Sequence, residues 1–141
     1  MTATDSTRDA ALARTAAALG LRLVVRFGSR ASGAVPPPTP ESDLDLAVLA
    51  TPACRVYPHD VAHALAGLFG DLDLDVAILN AADPLFLGEI FRRCDLLYGD
   101  PLLFAEWQAY AYRSFADSAD LRATERALSR RKLDLLLHAA T

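Results

Sequence analysis

Cysteine is scarce in this chain: Cys54 and Cys94 are its only two, forty positions apart. This spacing fits neither a zinc site nor a disulfide framework, so we interpret both as reduced core thiols of a cytosolic protein. Basic residues are also few, because 14 Lys and Arg stand against 18 Asp and Glu and give a net charge of −4. This balance argues against sequence-independent nucleic-acid binding, and we expect no direct contact with nucleic acid.

Long hydrophobic runs are missing as well. No apolar stretch approaches the roughly 20 residues of a membrane-spanning helix, and the N-terminal residues are polar, unlike a secretion signal. We therefore predict a cytoplasmic protein with no membrane partner. The 52% hydrophobic content of the 141 residues suits a compact fold, and residues 1–141 are predicted to form a single domain.

Segments with strand-like and helix-like apolar spacing alternate along the chain, which predicts an α/β fold: a small mixed sheet flanked by helices, followed by C-terminal helices. Prolines exclude regular structure from about Val35 to Pro40. The predicted strands are Leu21–Phe27 (with Leu21, Leu23, Val25 and Phe27 on one face), Asp43 to before Thr51, Asp73–Leu79 and Asp95–Tyr98. The predicted helices run from a cap at Asp5, Ser6 or Thr7 to about Leu19, from His59 to Phe69, from Asp83-Pro84 with Leu87, Ile90, Phe91 and Cys94 buried, from Asp100-Pro101, and from about Ser118 toward Leu137.

Two aspartates one residue apart, Asp43 and Asp45, open the second predicted strand. Side chains alternate along a strand, so both carboxylates face the same way, about 7 Å apart. Two negative charges this close are unfavourable unless a cation neutralises them, and carboxylate oxygens suit a divalent metal.

A Gly-Ser pair, Gly28-Ser29, stands where the first predicted strand gives way to a short helical turn. Free backbone N–H groups at such a turn suit phosphate. A further acidic run, Asp71, Asp73 and Asp75, opens the third predicted strand on one face, and spacing alone does not choose among its members. A phosphate cradle, a carboxylate pair and a third carboxylate together predict a two-metal phosphoryl-transfer site.

These residues resemble the signature of the polymerase-β-like nucleotidyltransferases: Gly28-Ser29, then Ser42-Asp43-Leu44-Asp45-Leu46, then an aspartate ahead of an apolar strand. The family places that last aspartate at Asp75, with Asp73 as the alternative. The family spacing between Gly-Ser and Asp-x-Asp is about ten residues, whereas this chain has thirteen, the surplus lying in the proline-rich loop. The motifs cover residues of about 20–100, the catalytic core, and the tail of about 101–137 is similar to the terminal helices of MntA-type antitoxins.

The resemblance implies a Mg²⁺-dependent adenylyltransferase that uses ATP. It implies that Asp43, Asp45 and Asp75 hold two Mg²⁺ ions and that Gly28 and Ser29 bind the nucleotide phosphates. Arg30 is a further candidate phosphate ligand, with a solvent-exposed loop arginine as the alternative. In similar toxin–antitoxin systems of type VII, the antitoxin adenylylates a tyrosine of a HEPN-domain toxin of the HepT type. The implied partner is such a toxin, in a hetero-oligomer.

Two other functions stay open at this point. One is an antitoxin that neutralises by binding alone, against which the three intact aspartates weigh. The other is a small-molecule nucleotidyltransferase that acts as a homodimer. His59 and His63 have metal-ligand spacing on a predicted helix, but no third ligand is apparent, so we expect an exposed pair. Leu121, Leu128 and Leu135 recur every seven residues in the last predicted helix, which suits packing against another helix.

Overall fold

A computed structural model describes residues 3–139 of the chain. The predicted alternation of helices and strands is confirmed. The helices are α1 (Ala3–Leu19), α2 (Pro58–Leu65), α3 (Pro84–Arg92), α4 (Pro101–Asp117) and α5 (Ala119–Ala139), and the strands are β1 (Leu21–Phe27), β2 (Leu44–Ala50), β3 (Leu74–Ile78) and β4 (Cys94–Gly99).

The four strands form one mixed sheet in the order β3-β2-β1-β4. β1 pairs antiparallel with both β2 and β4, whereas β2 and β3 run parallel. The mixed sheet predicted from the sequence is therefore confirmed. The two strands that begin beside acidic residues, β2 and β3, lie next to each other.

Helices cover both faces of the sheet. On one face, residues of α1 and α2 such as Leu12 and Val61 pack against Val24, Leu46 and Val48. On the other face, α3 and α4 supply Leu87, Ile90 and Ala111, which pack against Leu23, Val25, Ala47 and Leu49. Strands buried on both faces explain the near-continuous apolar runs of β1 and β2.

The two proline-led helix starts are confirmed at atomic detail. The Asp83 carboxylate accepts a hydrogen bond from the Phe86 N–H at 2.8 Å, and the Asp100 carboxylate accepts one from the Leu102 N–H at 3.0 Å. Each aspartate satisfies a donor that the first turn of the helix leaves unpaired, and the proline after it needs no partner for its nitrogen.

Two predicted helix boundaries were wrong. Asp5, Ser6 and Thr7 lie within α1 and not at a cap. The second helix ends at Leu65, and not near Phe69, because Ala66 takes an extended conformation and Gly67 has a positive φ of 85°. A glycine in this conformation stops an α-helix at little steric cost.

Three predicted side-chain environments were also wrong. Leu21 packs on the α1/α2 face with Val24, because the pairing of β1 with β2 is irregular between Leu21 and Leu23. Cys94 opens β4 and does not belong to α3, although its thiol is half-buried. Cys54 is exposed, so the core environment predicted for it was wrong.

The two C-terminal helices differ in how they meet the sheet. α4 packs against α3 and β4 and buries Ala111, whereas α5 contacts α4 and contains no buried residue among those described. No helix within residues 3–139 combines the length and the apolar character that crossing a bilayer requires.

Candidate active site

Asp45 is the second residue of β2, and Asp43 lies directly before the strand, which begins one residue later than the sequence predicts. Asp43 is exposed and Asp45 is half-buried, while Leu44 and Leu46 between and after them are buried in the α1/α2 layer. This alternation puts both carboxylates on the opposite face of the sheet, the one covered by α3 and α4.

The parallel pairing of β2 with β3 brings in a third carboxylate. Asp45 stands directly opposite Asp75 in the register, as Leu44 does opposite Leu74. Paired residues of neighbouring strands point to the same face, so Asp75 joins the first two aspartates. Asp73 lies before the strand, where its carbonyl accepts a hydrogen bond from the Leu44 N–H at 2.9 Å.

These charges affect one another. Burial raises the pKa of the Asp45 carboxyl above its ordinary value of 3.8, and the negative charges of Asp75 and Asp43 raise it further. Within residues 3–139, the only ion pairs of an aspartate with an arginine involve Asp5 and Asp95, and none reaches these three carboxylates. A site with this electrostatic imbalance favours a bound cation.

Gly28 lies directly against this acidic group. Its φ is +72°, and a Cβ at this position would overlap the Asp45 carboxylate. Only glycine meets both requirements, because other residues are strained at positive φ and none lacks a Cβ. Gly28 therefore lets the backbone of the turn lie close to the Asp45 carboxylate.

A cleft of about 560 Å³ opens beside the acidic group. Gly28 and Ser29 line it, and so do Thr39 and Ser42 of the long loop and Arg92 and Arg93 at the end of α3. This volume lies in the range of sites for ligands of nucleotide size. The Ser29 hydroxyl therefore borders a space suited to phosphates, while the three carboxylates lie beside the cleft and are not among its lining residues.

The donor set fits magnesium only when the nucleotide contributes ligands. Across residues 3–139, no group of three or more His, Cys, Asp or Glu side chains is arranged to enclose an ion. Mg²⁺ sites in phosphoryl-transfer enzymes typically use one or two carboxylates together with phosphate oxygens and water. Asp45, flanked by Asp43 and Asp75 on an accessible edge of the sheet, fits that arrangement.

Arg30 occupies a place that the sequence did not predict. Its Nε donates to the Ser42 carbonyl at 2.9 Å and its Nη2 to the Thr39 carbonyl at 3.0 Å. The guanidinium thereby ties the proline-rich loop to the turn after β1, and it does not line the cleft beside Ser29. Its role as a phosphate ligand stays a prediction.

Sequence reasoning missed a network that holds the turn in place. Both Nε and Nη2 of Arg26 donate to Oδ2 of Asp95, at 3.1 and 2.9 Å, and the Ser32 N–H donates to the same oxygen at 2.8 Å. Although burial acts to raise it, the pKa of Asp95 lies below its usual range because Ser32 and Arg26 stabilise the carboxylate. Arg26 and Asp95 are paired in the sheet but 69 positions apart in the chain, so no local pattern signals the contact.

Neither the histidine pair of α2 nor the Cys94 thiol shows features of a functional site. His59 and His63 are both exposed on α2, as expected for a pair without a third ligand. Burial and the neighbouring Asp95 charge raise the pKa of the Cys94 thiol to about 11, so this cysteine is protonated at neutral pH and is a poor nucleophile.

Comparison with protein families identifies the arrangement. The family described as "Polymerase beta, Nucleotidyltransferase" matches residues 15–101, which contain the Gly-Ser turn and all three aspartates. The chain belongs to this family. No curated protein sequence matches the chain.

Solved structures of toxin–antitoxin complexes contain chains that share this fold. A chain from the tri-AMPylated Shewanella oneidensis HEPN toxin in complex with MNT antitoxin aligns with a TM-score of 0.62 at 20% identity, covering 92% of this chain and 98% of that one. A toxin–antitoxin complex with AMP-PNP gives a TM-score of 0.65 at 22% identity, covering 89% and 98%. An MntA–HepT toxin–antitoxin complex gives 0.60 at 20% identity, covering 91% and 98%.

Proposed function

We propose that this nucleotidyltransferase transfers AMP from ATP to a tyrosine hydroxyl of a HEPN-domain toxin and thereby acts as an antitoxin. The observation that carries the proposal is the register of β2 and β3, which pairs Asp75 with Asp45, the second aspartate of the Asp43–Asp45 pair. Two carboxylates on rigid strands and a third directly before one of them, next to a cleft that Ser29 borders, are the parts that phosphoryl transfer requires.

Five residues of the candidate site have distinct roles in the proposed reaction. Asp43, Asp45 and Asp75 would hold Mg²⁺, which when bound neutralises the phosphate charges and favours ionisation of the attacking hydroxyl. Ser29 donates a hydrogen bond to the departing pyrophosphate, and Gly28 allows Asp45 to lie against the backbone. A bond forms from the acceptor oxygen to the α-phosphorus as the bond to the β-phosphate oxygen breaks. The hydroxyl proton passes to Asp75 or to water.

The choice of acceptor rests on the similar structures. They contain a HEPN toxin that is tri-AMPylated and a toxin–antitoxin pair with AMP-PNP, and this chain aligns with 98% of the neighbouring chain in both. The described residues form the nucleotidyltransferase sheet with its covering helices and two C-terminal helices. An acceptor that is itself a folded protein supplies the binding surface that a small-molecule enzyme would need to build.

The test is transfer of label from [α-³²P]ATP in the presence of Mg²⁺ to the product of the neighbouring reading frame, which the proposal requires to be a HEPN-domain protein. We expect a labelled tyrosine and loss of the toxin's RNase activity. Asp43→Ala and Asp45→Ala each lower the transfer rate at least about 100-fold, because they remove several kcal/mol of charge stabilisation at 1.36 kcal/mol per factor of ten.

The controls separate the competing functions. Asp9→Asn changes an exposed carboxylate of α1 and leaves transfer intact. Neutralisation of the toxin without label, equally by wild type and by Asp45→Ala, would establish an antitoxin that works by contact alone. Label on a small molecule and none on the toxin would establish a small-molecule nucleotidyltransferase.

A further inference from the structure

A continuous groove runs over α3, α4 and α5, away from the cleft beside Ser29. We call it the α3–α5 groove. Its near part is a cavity of about 530 Å³, lined by residues that include Phe91, Arg92, Gln108, Tyr112 and Phe115. Its far part is a cavity of about 770 Å³, lined by Leu85, Phe115, Arg122, Glu125, Arg126 and Arg130. The two parts share Leu85 and Phe115.

The near part is mostly apolar. Tyr112 is 77% exposed and Leu85 is 53% exposed, although both are large hydrophobic side chains. Phe115 forms the floor, where it packs against Gly88 so closely that a Cβ on this glycine would meet the ring at 2.5 Å. Exposed aromatic and aliphatic side chains around a concave floor are typical of a protein-binding surface.

The far part is basic. Arg122, Arg126 and Arg130 follow one another at four-residue intervals, so they form one row along α5. The Arg122 guanidinium lies 3.7 Å from the centre of the Phe115 ring and donates to the Phe115 carbonyl. No carboxylate within residues 3–139 forms an ion pair with Arg126 or Arg130. The row therefore presents charge that the rest of the described chain does not neutralise.

The groove leads to the candidate active site. Arg92 lines both the near part of the groove and the cleft beside Gly28 and Ser29. α3 and α4 cover the sheet face toward which Asp43, Asp45 and Asp75 point. A segment lying in the groove would thus reach the carboxylates without crossing to the other face of the sheet.

We propose that the α3–α5 groove binds an acidic amphipathic helix of the acceptor protein. Its apolar residues lie over Phe115 and Tyr112, and its carboxylates, one turn apart, pair with Arg126 and Arg130. This inference rests on the proposed function, since it assigns the surface that brings the acceptor hydroxyl to the nucleotide.

Charge selects this occupant over the alternatives. α5 has five basic and three acidic side chains, so the α5 helix of a second copy would bring its own arginine row against this one. RNA suits the arginines of the far part but not the near part, which is mostly apolar and has Arg92 as its one basic residue, on a chain with net charge −4. An acidic helix with one apolar face matches both parts.

The test uses the full-length protein and a fluorescein-labelled peptide of about 18 residues, five turns at 3.6 residues per turn. The peptide has Leu and Phe on one face and Glu at four-residue intervals beside them. Two further probes are the same peptide with Lys in place of Glu and a single-stranded oligo-U RNA. Fluorescence anisotropy without nucleotide measures binding of each probe at about 50 and 150 mM salt, where screening differs.

Of the three probes, we expect only the Glu peptide to bind, and we expect its binding to be weaker at the higher salt concentration. The triple variant R122E/R126E/R130E weakens binding at least about tenfold, because it places like charges opposite one another. The matched control R131E/K132E reverses exposed charges of the same helix outside the groove lining and leaves binding unchanged. R126Q/R130Q, which leaves the Arg122–Phe115 contact in place, should show an intermediate loss.

Other results would overturn the inference. If the triple variant binds the Glu peptide as tightly as the wild type does, the peptide binds outside the α3–α5 groove. If the wild type does not bind this peptide, the groove is not a site for an acidic helix. Binding of the RNA that depends on the arginine row makes the groove a nucleic-acid site. AMP-PNP titration of the same variants keeps this question apart from the proposed function: unchanged nucleotide affinity with lost peptide binding implicates the groove alone.

Discussion

At the scale of single residues, the three carboxylates have different surroundings although they share one face of the sheet. Asp43 and Asp75 are exposed, whereas Asp45 is half-buried and lies against Gly28. The Asp45 carboxylate is thus the least hydrated of the three, and it is also the one that both other charges act on. Asp45 therefore carries most of the electrostatic penalty that a cation would relieve.

This penalty gives a pH-dependent prediction for Asp45→Asn. The folded state holds the Asp45 proton more tightly than the unfolded chain, because the pKa is raised above 3.8. The wild type therefore loses stability as the pH rises from 3.8 through the raised pKa. Without metal, Asp45→Asn should be modestly more stable than wild type at pH 7, and the difference should vanish below pH 3.8.

Thermal unfolding of both proteins across this pH range, with EDTA present, measures the difference. Adding Mg²⁺ and AMP-PNP should raise the Tm of the wild type and not that of Asp45→Asn, because ligands that bind only the folded state stabilise it. If Asp45→Asn is less stable than the wild type at every pH, the Asp45 carboxylate stabilises the folded protein and does not destabilise it.

The third carboxylate gives a second prediction. Asp75→Asn should lower the turnover number at least about 100-fold and change AMP-PNP affinity little, because the proposed mechanism has Asp75 accept the proton of the attacking hydroxyl. Asp73→Asn should be mild, since its contact with β2 uses the backbone carbonyl, which asparagine retains. Steady-state rates and nucleotide titrations of the two variants decide the matter, and the reverse ranking would transfer the role to Asp73.

At the scale of secondary-structure elements, the turn after β1 and the long loop depend on two arginine contacts. Arg30 binds two loop carbonyls, and Arg26 orients Asp95, which in turn accepts the Ser32 N–H. The turn contains Gly28 and Ser29, the proposed phosphate ligands, so we expect the Asp95 carboxylate to position them without contacting the nucleotide.

Asp95→Ala should therefore weaken AMP-PNP binding several-fold and lower the Tm, because it leaves Arg26 and the Ser32 N–H without their shared acceptor. The pKa of Asp95 is lowered, so its contribution to stability is fully present above the ordinary value of 3.8 and is lost as the pH falls through the lowered value. The Tm difference between wild type and Asp95→Ala should accordingly shrink toward acid pH.

The matched control for this variant is Asp9→Asn, an exposed carboxylate of α1 with no part in the network. Isothermal titration with AMP-PNP, and thermal unfolding at several pH values, measure the two effects. If nucleotide affinity stays at the wild-type value while the Tm falls, Asp95 stabilises the sheet and does not position the turn.

The elements themselves were largely predictable from local sequence. Proline after aspartate located the starts of α3 and α4, and apolar runs located β1 and β2. The errors had two causes: pairing with a distant strand turned Leu21 to the other face, and a local turn at Gly67 ended α2 early. Periodicity does not contain this information.

At the scale of the whole molecule, the pairing of strands decides which sequence motifs meet. Asp-x-Asp and the Gly-Ser turn were recognisable as motifs, but the choice of Asp75 came from resemblance and stays a prediction, while its position opposite Asp45 comes from the register of β2 with β3. The contacts of Arg30, and the cleft position of Arg92, depend on how the loop and α3 return to the sheet. No spacing along the chain encodes them.

The last helix stands apart from the rest of the molecule. Leu121, Leu128 and Leu135 on α5 are each 60% or more exposed, and no described residue of this helix is buried. The fold therefore does not depend on α5 to cover the sheet, since α3 and α4 already do so.

Truncation after Ala116 removes α5 and keeps Phe115. We expect the truncated protein to fold and to bind AMP-PNP as the full-length protein does, because the core loses no buried side chain. It should bind the toxin at least about tenfold more weakly and lose AMP transfer in proportion, because the arginine row and the exposed leucines are gone. Circular dichroism, nucleotide titration and a toxin pull-down on one preparation measure all three.

A shorter truncation after Leu133 is the matched control, because it removes the end of α5 and keeps Arg122, Arg126 and Arg130. If the arginine row binds the acceptor, this protein keeps most of its transfer activity, whereas a surface formed by the leucine-rich end would lose it. Unfolding of the protein truncated after Ala116 would show that α5 supports the domain. A folded, nucleotide-binding truncation that labels the toxin normally would place the docking surface on the catalytic core, where the cleft beside Ser29 and the exposed face of α3 would have to hold the acceptor.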